Sequence, residues 1–163
     1  MDVDRAELCF SEASGTPTMG RPLEEALRQL IRKAKNSIII CSCEFTGSKN
    51  FILNEEITIQ LKKGKSVIVY GNDGSQMRNL MATYGDLGLK AFRWVRPRKK
   101  SLFHIKAIMV DENMVYMGSA NLSRNAMQNS AEWGLISHSP EICKNLAYYI
   151  EELKISGRFT EVE

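Results

Sequence analysis

His104-Ile105-Lys106, followed by Asp111 and then by Gly118-Ser119-Ala120-Asn121, plants a polar set inside an otherwise apolar run. Read as a strand, Leu102 to Val110 alternates with period two, and His104 and Lys106 then share a face with Ile108 and Val110. An imidazole would lie beside an ammonium. Burying a lysine costs several kcal/mol unless an anion or a good acceptor meets it. A lysine in a largely apolar strand therefore asks for a negative partner, from the protein or from a ligand. A phosphate meets that need well.

The elements that would hold this set alternate along the chain. Ala6 to Ser11 reads as a first strand, and Ser14-Gly15-Thr16-Pro17 with Gly20 as a loop into a helix from about Pro22. Leu23, Ala26, Leu27, Leu30, Ile31 and Ala34 give that helix one apolar stripe. Ser37 to Cys43 is a continuous apolar run that predicts a buried strand; Phe51 to Lys63 predicts a helix closed by Gly64, and Ser66 to Tyr70 another strand. After the turn Gly71-Asn72-Asp73-Gly74 come a helix carrying Met77, Leu80, Met81 and Tyr84 and a strand from Leu89 to Val95.

Beyond a basic loop, Arg96 to Ser101, the order changes. A strand from Leu102 to Val110, a turn at Asp111-Glu112-Asn113 and a strand from Met114 to Met117 make a hairpin. Glu132 to Ser137 predicts a last strand. Ser139-Pro140-Glu141 opens a final helix with Ile142, Leu146, Tyr149, Ile150 and Leu153 at helical spacing. The expectation is an α/β fold, a mixed β-sheet flanked by helices on both faces, with a loosely ordered tail beyond Gly157.

At 163 residues and 44% hydrophobic content, the chain is expected to form a single domain with its core at about residues 6–153. No long apolar window and no apolar signal core after Met1-Asp2-Val3-Asp4-Arg5 are visible, so a cytoplasmic protein is expected. Cys9, Cys41, Cys43 and Cys143 are scattered, without a CxxC pair or a histidine partner, and read as buried reduced thiols. Asp73, Asp86 and Glu55-Glu56 form no acidic cluster at ligand spacing and read as solvated surface groups.

The net charge of +3 decides little, but its distribution matters. Arg93, Arg96, Arg98, Lys99 and Lys100 are interleaved with Phe92, Trp94 and Phe103 without one acidic residue. Such cations can bind consecutive phosphates while exposed aromatics stack bases; the alternative is a solvated loop whose aromatics face the core. Nucleic-acid contact is the favoured reading. Lys62, Lys63 and Lys65 cluster at a helix end, where dipole complementation accounts for them.

His104-x-Lys106-x4-Asp111-x6-Gly118-Ser119-x-Asn121 resembles the HKD signature of the phospholipase D superfamily, over eighteen residues of fixed spacing. The preceding strand and helix order is also similar, so the resemblance covers about residues 6–153 and implies a phospholipase D-like fold. It implies that His104 is the nucleophile on phosphorus, forming a phosphohistidine that water hydrolyses. Lys106 would neutralise the phosphoryl oxygens, and Ser119 and Asn121 would donate hydrogen bonds to them. Asp111, in the hairpin turn, would serve in structure or in the local polar network. Glu132 stands where related single-motif nucleases carry an acidic residue that orients the histidine and stabilises its imidazolium. No metal and no other cofactor is required by this scheme.

Larger members carry two such motifs per chain, one supplying the nucleophile and the other the acid that protonates the leaving oxygen. Here there is one. His138 lacks a lysine two residues later and reads as a surface or helix-start residue. The missing acid would come from a second copy, in a twofold homodimer sharing one active site. That arrangement resembles the small bacterial HKD endonucleases and the mitochondrial cardiolipin hydrolase group. The expectation is a metal-independent, largely sequence-nonspecific endonuclease, with DNA favoured over RNA. A membrane lipid phosphodiester of cardiolipin type is the alternative substrate, since basic residues also attract anionic headgroups. A noncatalytic nucleic-acid-binding module of a larger assembly is the third reading.

Overall fold

The computed structural model describes residues 6–14, 20–45 and 52–163. Its strands are β1 (Ala6–Phe10), β2 (Arg21–Pro22), β3 (Ser37–Cys41), β4 (Ser66–Gly71), β5 (Lys90–Trp94), β6 (Ala107–Val110), β7 (Met114–Gly118), β8 (Trp133–Ser137) and β9 (Phe159–Val162). Its helices are α1 (Leu23–Arg32), α2 (Asn54–Lys62), α3 (Gly74–Tyr84), α4 (Arg124–Gln128) and α5 (Pro140–Ile155). Among the described residues the strands form one mixed sheet in the order β2-β1-β8-β7-β6-β3-β4-β5-β9. β3, β4 and β5 run parallel, whereas β6 lies antiparallel to β3 and leads into the antiparallel β6-β7-β8-β1 series.

The alternation of apolar side chains sends them into two layers. Ile38, Ile40, Val67, Val69, Ile108, Val110 and Ile136 pack under α1, α2 and α3. Cys41, Tyr70, Phe92, Trp94 and Ala107 face the other way, toward Ile150 of α5. Helices thus cover both faces, as the strand pattern predicts. Start signals are equally direct. Asp73 accepts from the backbone N–H of Ser75 and Gln76 to cap α3, and Ser139 accepts from Ile142 N to cap α5, with Pro140 in its first turn.

Several expectations need correction. The strand after the basic loop begins at Ala107, not Leu102, because β3 stops pairing at Cys41↔Ala107 and Ser42 N turns instead to Tyr70 O at 3.1 Å. The tail beyond Gly157 is ordered: Phe159–Val162 pairs with β5, fastened by the Phe159 ring at 4.9–5.3 Å from those of Tyr70, Trp94 and Phe103. Glu56 is not a solvated surface group. Packing of α1 against α2 buries it, and its oxygens lie 2.6 Å from Arg28 Nη1 and 2.7 Å from Arg32 Nη2. A buried carboxylate held by two guanidiniums is compensated where an unpaired one would not be. The loop read at Gly15-Thr16-Pro17 and the helix start at Phe51 lie outside the described residues.

The β6–β7 turn places Asp111 and Glu112 at φ of 53° and 56°, the left-handed pair of a type I′ turn. The Asp111 carboxylate accepts from the backbone N–H of Lys35, Asn36 and Ser37 at 2.7, 2.8 and 2.9 Å. Partial burial pushes its pKa up, but these three N–H groups and the Lys35 charge outweigh that and hold it below the ordinary carboxylate range. Asp111 thereby ties the hairpin to the α1–β3 junction. Asp111→Ala is expected to lower unfolding free energy by about 1–2 kcal/mol at neutral pH. Since the folded-state pKa is depressed, that stabilisation is present above the unfolded value of about 3.9 and is lost as pH falls through the folded one. Urea denaturation of both proteins should show a gap at pH 7 that narrows below about pH 4; a gap unchanged by acid would refute the account.

Candidate active site

The start of β6, the end of β7 and the start of β8 meet at one end of the sheet, because these three neighbours alternate in direction. His104 and Lys106 precede β6, Ser119 and Asn121 follow β7, and Glu132 precedes β8. The C-terminal ends of β3, β4 and β5 reach the same end, since β3 runs antiparallel to β6. The sheet gathers five of the six predicted site residues. Asp111 is left out, at the far end of β6, roughly 13 Å of strand away at about 3.3 Å per residue. Of the two roles expected for it, structure or the local polar network, its contacts with Lys35, Asn36 and Ser37 fit the first.

Two pairs make the site. Lys106 Nζ lies 3.1 Å from His104 Nδ1 and 3.0 Å from Nε2, and donates to the His104 carbonyl at 3.3 Å. Equal distances to both ring nitrogens put the ammonium over the ring rather than on one lone pair. On the other side, the Ser119 hydroxyl donates to the Glu132 carboxylate and accepts from Trp133 N at 3.2 Å, while Ser119 N donates to Trp133 O at 3.0 Å. Among the described residues the hydrogen bonds of the His104 ring run to Lys106 and none to Glu132. Lys106 is half-buried rather than enclosed, and no carboxylate pairs with it among the described residues. An ammonium beside an exposed imidazole, without its own anion, can take up an anionic group.

Buried groups hold these pairs in place. Ser11 Oγ donates to Ser130 O at 2.6 Å and accepts from Glu132 N at 2.8 Å. Ser42, fully buried, donates to Glu44 O at 2.7 Å and accepts at 3.1 Å from Leu122 N, next to Asn121. Gly118 and Gly134 are required by the buried Tyr116 ring between them. A Cβ at 118 would lie 2.3 Å from its hydroxyl, and one at 134 would lie 2.1 Å from its Cε2. Asn121 Oδ1 is buried without a hydrogen-bond partner among the described residues. Ser11 and Ser42 escaped notice in the sequence; their one signal is a serine closing an apolar run.

Arg93, Arg96, Arg98, Lys99 and Lys100 are all exposed at or beyond the end of β5. The neighbouring aromatics are not. Phe92, Trp94 and Phe103 are buried in one cluster with Tyr70 and Phe159, which corrects the expectation that they stack bases. Trp133, 55% exposed and directly after Glu132, is the aromatic at this end that the sequence reading passed over. All four cysteines are free, and burial pushes the Cys9 and Cys143 thiols up to about 11, which keeps them protonated and inert. Cys43 is only half-buried. Among the described residues no three His, Cys, Asp or Glu side chains converge to hold a metal ion, and no helix is long and apolar enough to cross a membrane.

Residues 27–154 match the family model described as Cardiolipin synthase, PLD-like domain. The fold is similar to that of Nuc, a phospholipase D family member from Salmonella typhimurium, at a TM-score of 0.77 and 16% identity over 99% of both chains. Phosphatidylserine synthase from Haemophilus influenzae Rd KW20 gives a TM-score of 0.74 at 19% identity; the alignment covers 99% of this chain but 41% of that one. NucT from Helicobacter pylori gives 0.65 at 21% identity, over 93% of this chain and 97% of that one. At such identities the likeness is one of fold. No curated protein matches the chain by sequence. The family model, spanning most of the chain and enclosing the His104–Asn121 motif, makes this protein a member of the phospholipase D superfamily.

Proposed function

We propose that this protein is a metal-independent phosphodiesterase that cleaves nucleic acid internally, with DNA favoured over RNA, as a homodimer sharing one site. The observation that carries this reading is the exposed His104 ring beneath the Lys106 ammonium, which has no carboxylate partner of its own among the described residues. A ring nitrogen of His104 attacks phosphorus, a P–N bond forms and the P–O bond to the leaving group breaks. The leaving oxygen takes a proton from the imidazolium of His104 of the partner subunit. Water then attacks phosphorus, gives its proton to that second imidazole, and the P–N bond breaks to free His104. Lys106 and Asn121 stabilise the phosphoryl oxygens, joined by Ser119 as its hydroxyl turns from Glu132 to the phosphate, and Glu132 acts on the site through that serine.

The substrate class rests on the five exposed cations from Arg93 to Lys100, on the segment that leads into His104. The dimer is supported by exposed apolar side chains on the α5 side of the sheet: Leu8 and Trp133 from the strands, Tyr148 and Tyr149 from α5. A lipid phosphodiester is the second reading. It is favoured by the exposed apolar Leu102 and Trp133 flanking the site residues in sequence.

Purified protein in EDTA is expected to cleave circular single-stranded or duplex DNA while leaving cardiolipin vesicles intact, and His104→Ala is expected to reduce cleavage to background. Cleavage of lipid alone, strict dependence on added metal, or binding without cleavage would each overturn a stated part of this reading. Sedimentation should find the active species to be a dimer. An active protein that remains monomeric at assay concentration contradicts the shared site.

A further inference from the structure

Residues 96–105, which join β5 to β6 and carry His104, have no strand partner; just before them Val95 N donates to Arg158 O at 2.8 Å. β3 would have been the neighbour, but its pairing with β6 ends at Ala107 and its chain turns toward β4. One side chain fills the gap. Asn72, directly after β4, accepts from Phe103 N at 2.7 Å through Oδ1 and donates to Phe103 O through Nδ2. The same Nδ2 lies 3.4 Å from Cys43 O and 3.4 Å from Cys43 Sγ, so the amide spans the course that a longer β3 would have taken. Both backbone polar groups of the residue before His104 are satisfied by an amide that mimics a strand edge.

The other restraints on this segment are few. Gly118 N donates to Lys106 O at 3.3 Å, and the buried Phe103 ring lies 5.0 Å from Phe159 and 5.9 Å from Trp94. The ring fixes where Phe103 sits; the amide fixes how its peptide groups are turned, and the following peptide sets the direction of the His104 side chain. We propose that Asn72 is a positioning residue for His104, holding the nucleophile's backbone in register with Lys106 and Ser119. The inference rests on the reading of His104 as nucleophile. Asparagine suits the task because it offers an acceptor and a donor together. Aspartate would keep the acceptor but set a carboxylate against the carbonyl oxygens of Phe103 and Cys43.

Asn72→Asp and Asn72→Ser are the test variants, with Ser139→Ala, which removes a cap of α5, as the control for general destabilisation. With bis(p-nitrophenyl) phosphate as the small probe, both Asn72 variants are expected to lose about 10- to 100-fold in kcat while KM changes less than about threefold, the signature of a misplaced reacting group. Ser139→Ala should keep kcat. Amide hydrogen exchange gives a readout independent of catalysis: the Phe103 N–H should be protected in the native protein and lose protection in both variants. A native Phe103 amide that exchanges freely overturns the proposal, as does a loss confined to KM or full kcat in both variants. A native protein that turns over no phosphodiester refutes the function proposed above, while the exchange experiment still reports on the clamp.

Discussion

The antiparallel seam between β3 and β6 organises everything else. Ile38 faces Val110 and Ile40 faces Ile108 across it, all four fully or nearly fully buried, and this apolar pairing joins the parallel β3-β4-β5 half to the antiparallel β6-β7-β8-β1 half. Parallel strands need long crossovers and leave their C-terminal ends together; an antiparallel series alternates its ends. Joined at this seam, the two halves present the end of β4, the start of β6, the end of β7 and the start of β8 along one rim. The site is a consequence of sheet direction before it is a matter of any side chain.

The rim is also where uncompensated positive charge collects. Three arginines elsewhere are paired: Arg28 and Arg32 converge on Glu56, and Arg21 meets Glu7 at 2.7 Å. Lys106 and the Arg93–Lys100 segment have no such ion pairs among the described residues. A run of unpaired cations along one segment concentrates the field where an anion can approach. The aromatics interleaved with those cations serve a different end, gripping the segment to β9 and α5 from below.

Local signals were the ones legible in the sequence. The Asp111 turn, the Ser139-Pro140 helix start and the continuous run from Ser37 to Cys43 each act over a few residues; the turn and the helix start stand where the pattern puts them, and the strand of the run ends at Cys41. What was not legible depended on distant partners. The strand at β6 starts late because β3 ends early; the tail becomes β9 because Phe159 finds the aromatics of β4 and β5; Glu56 is buried because α1 brings two arginines to it. Period-two alternation likewise says that Phe92 and Trp94 share a face but not which face is covered. Asn72 could be read as a turn residue and no more, since its hydrogen bonds cross 31 residues of sequence.

Tyr116 gives the motif a hidden dependency. Its ring occupies the space that side chains at 118 and 134 would need, so the glycine that precedes Ser119 belongs as much to the packing of a buried tyrosine as to the site above it. The nearest atoms to a Cβ at 134 are all of that ring, so an alanine there becomes tolerable as the ring at 116 shrinks, whereas a Cβ at 118 would still lie 2.6 Å from the Trp133 carbonyl oxygen. Substitutions at 116 and 134 should therefore be strongly non-additive, while the glycine at 118 is demanded by backbone as well as by the ring.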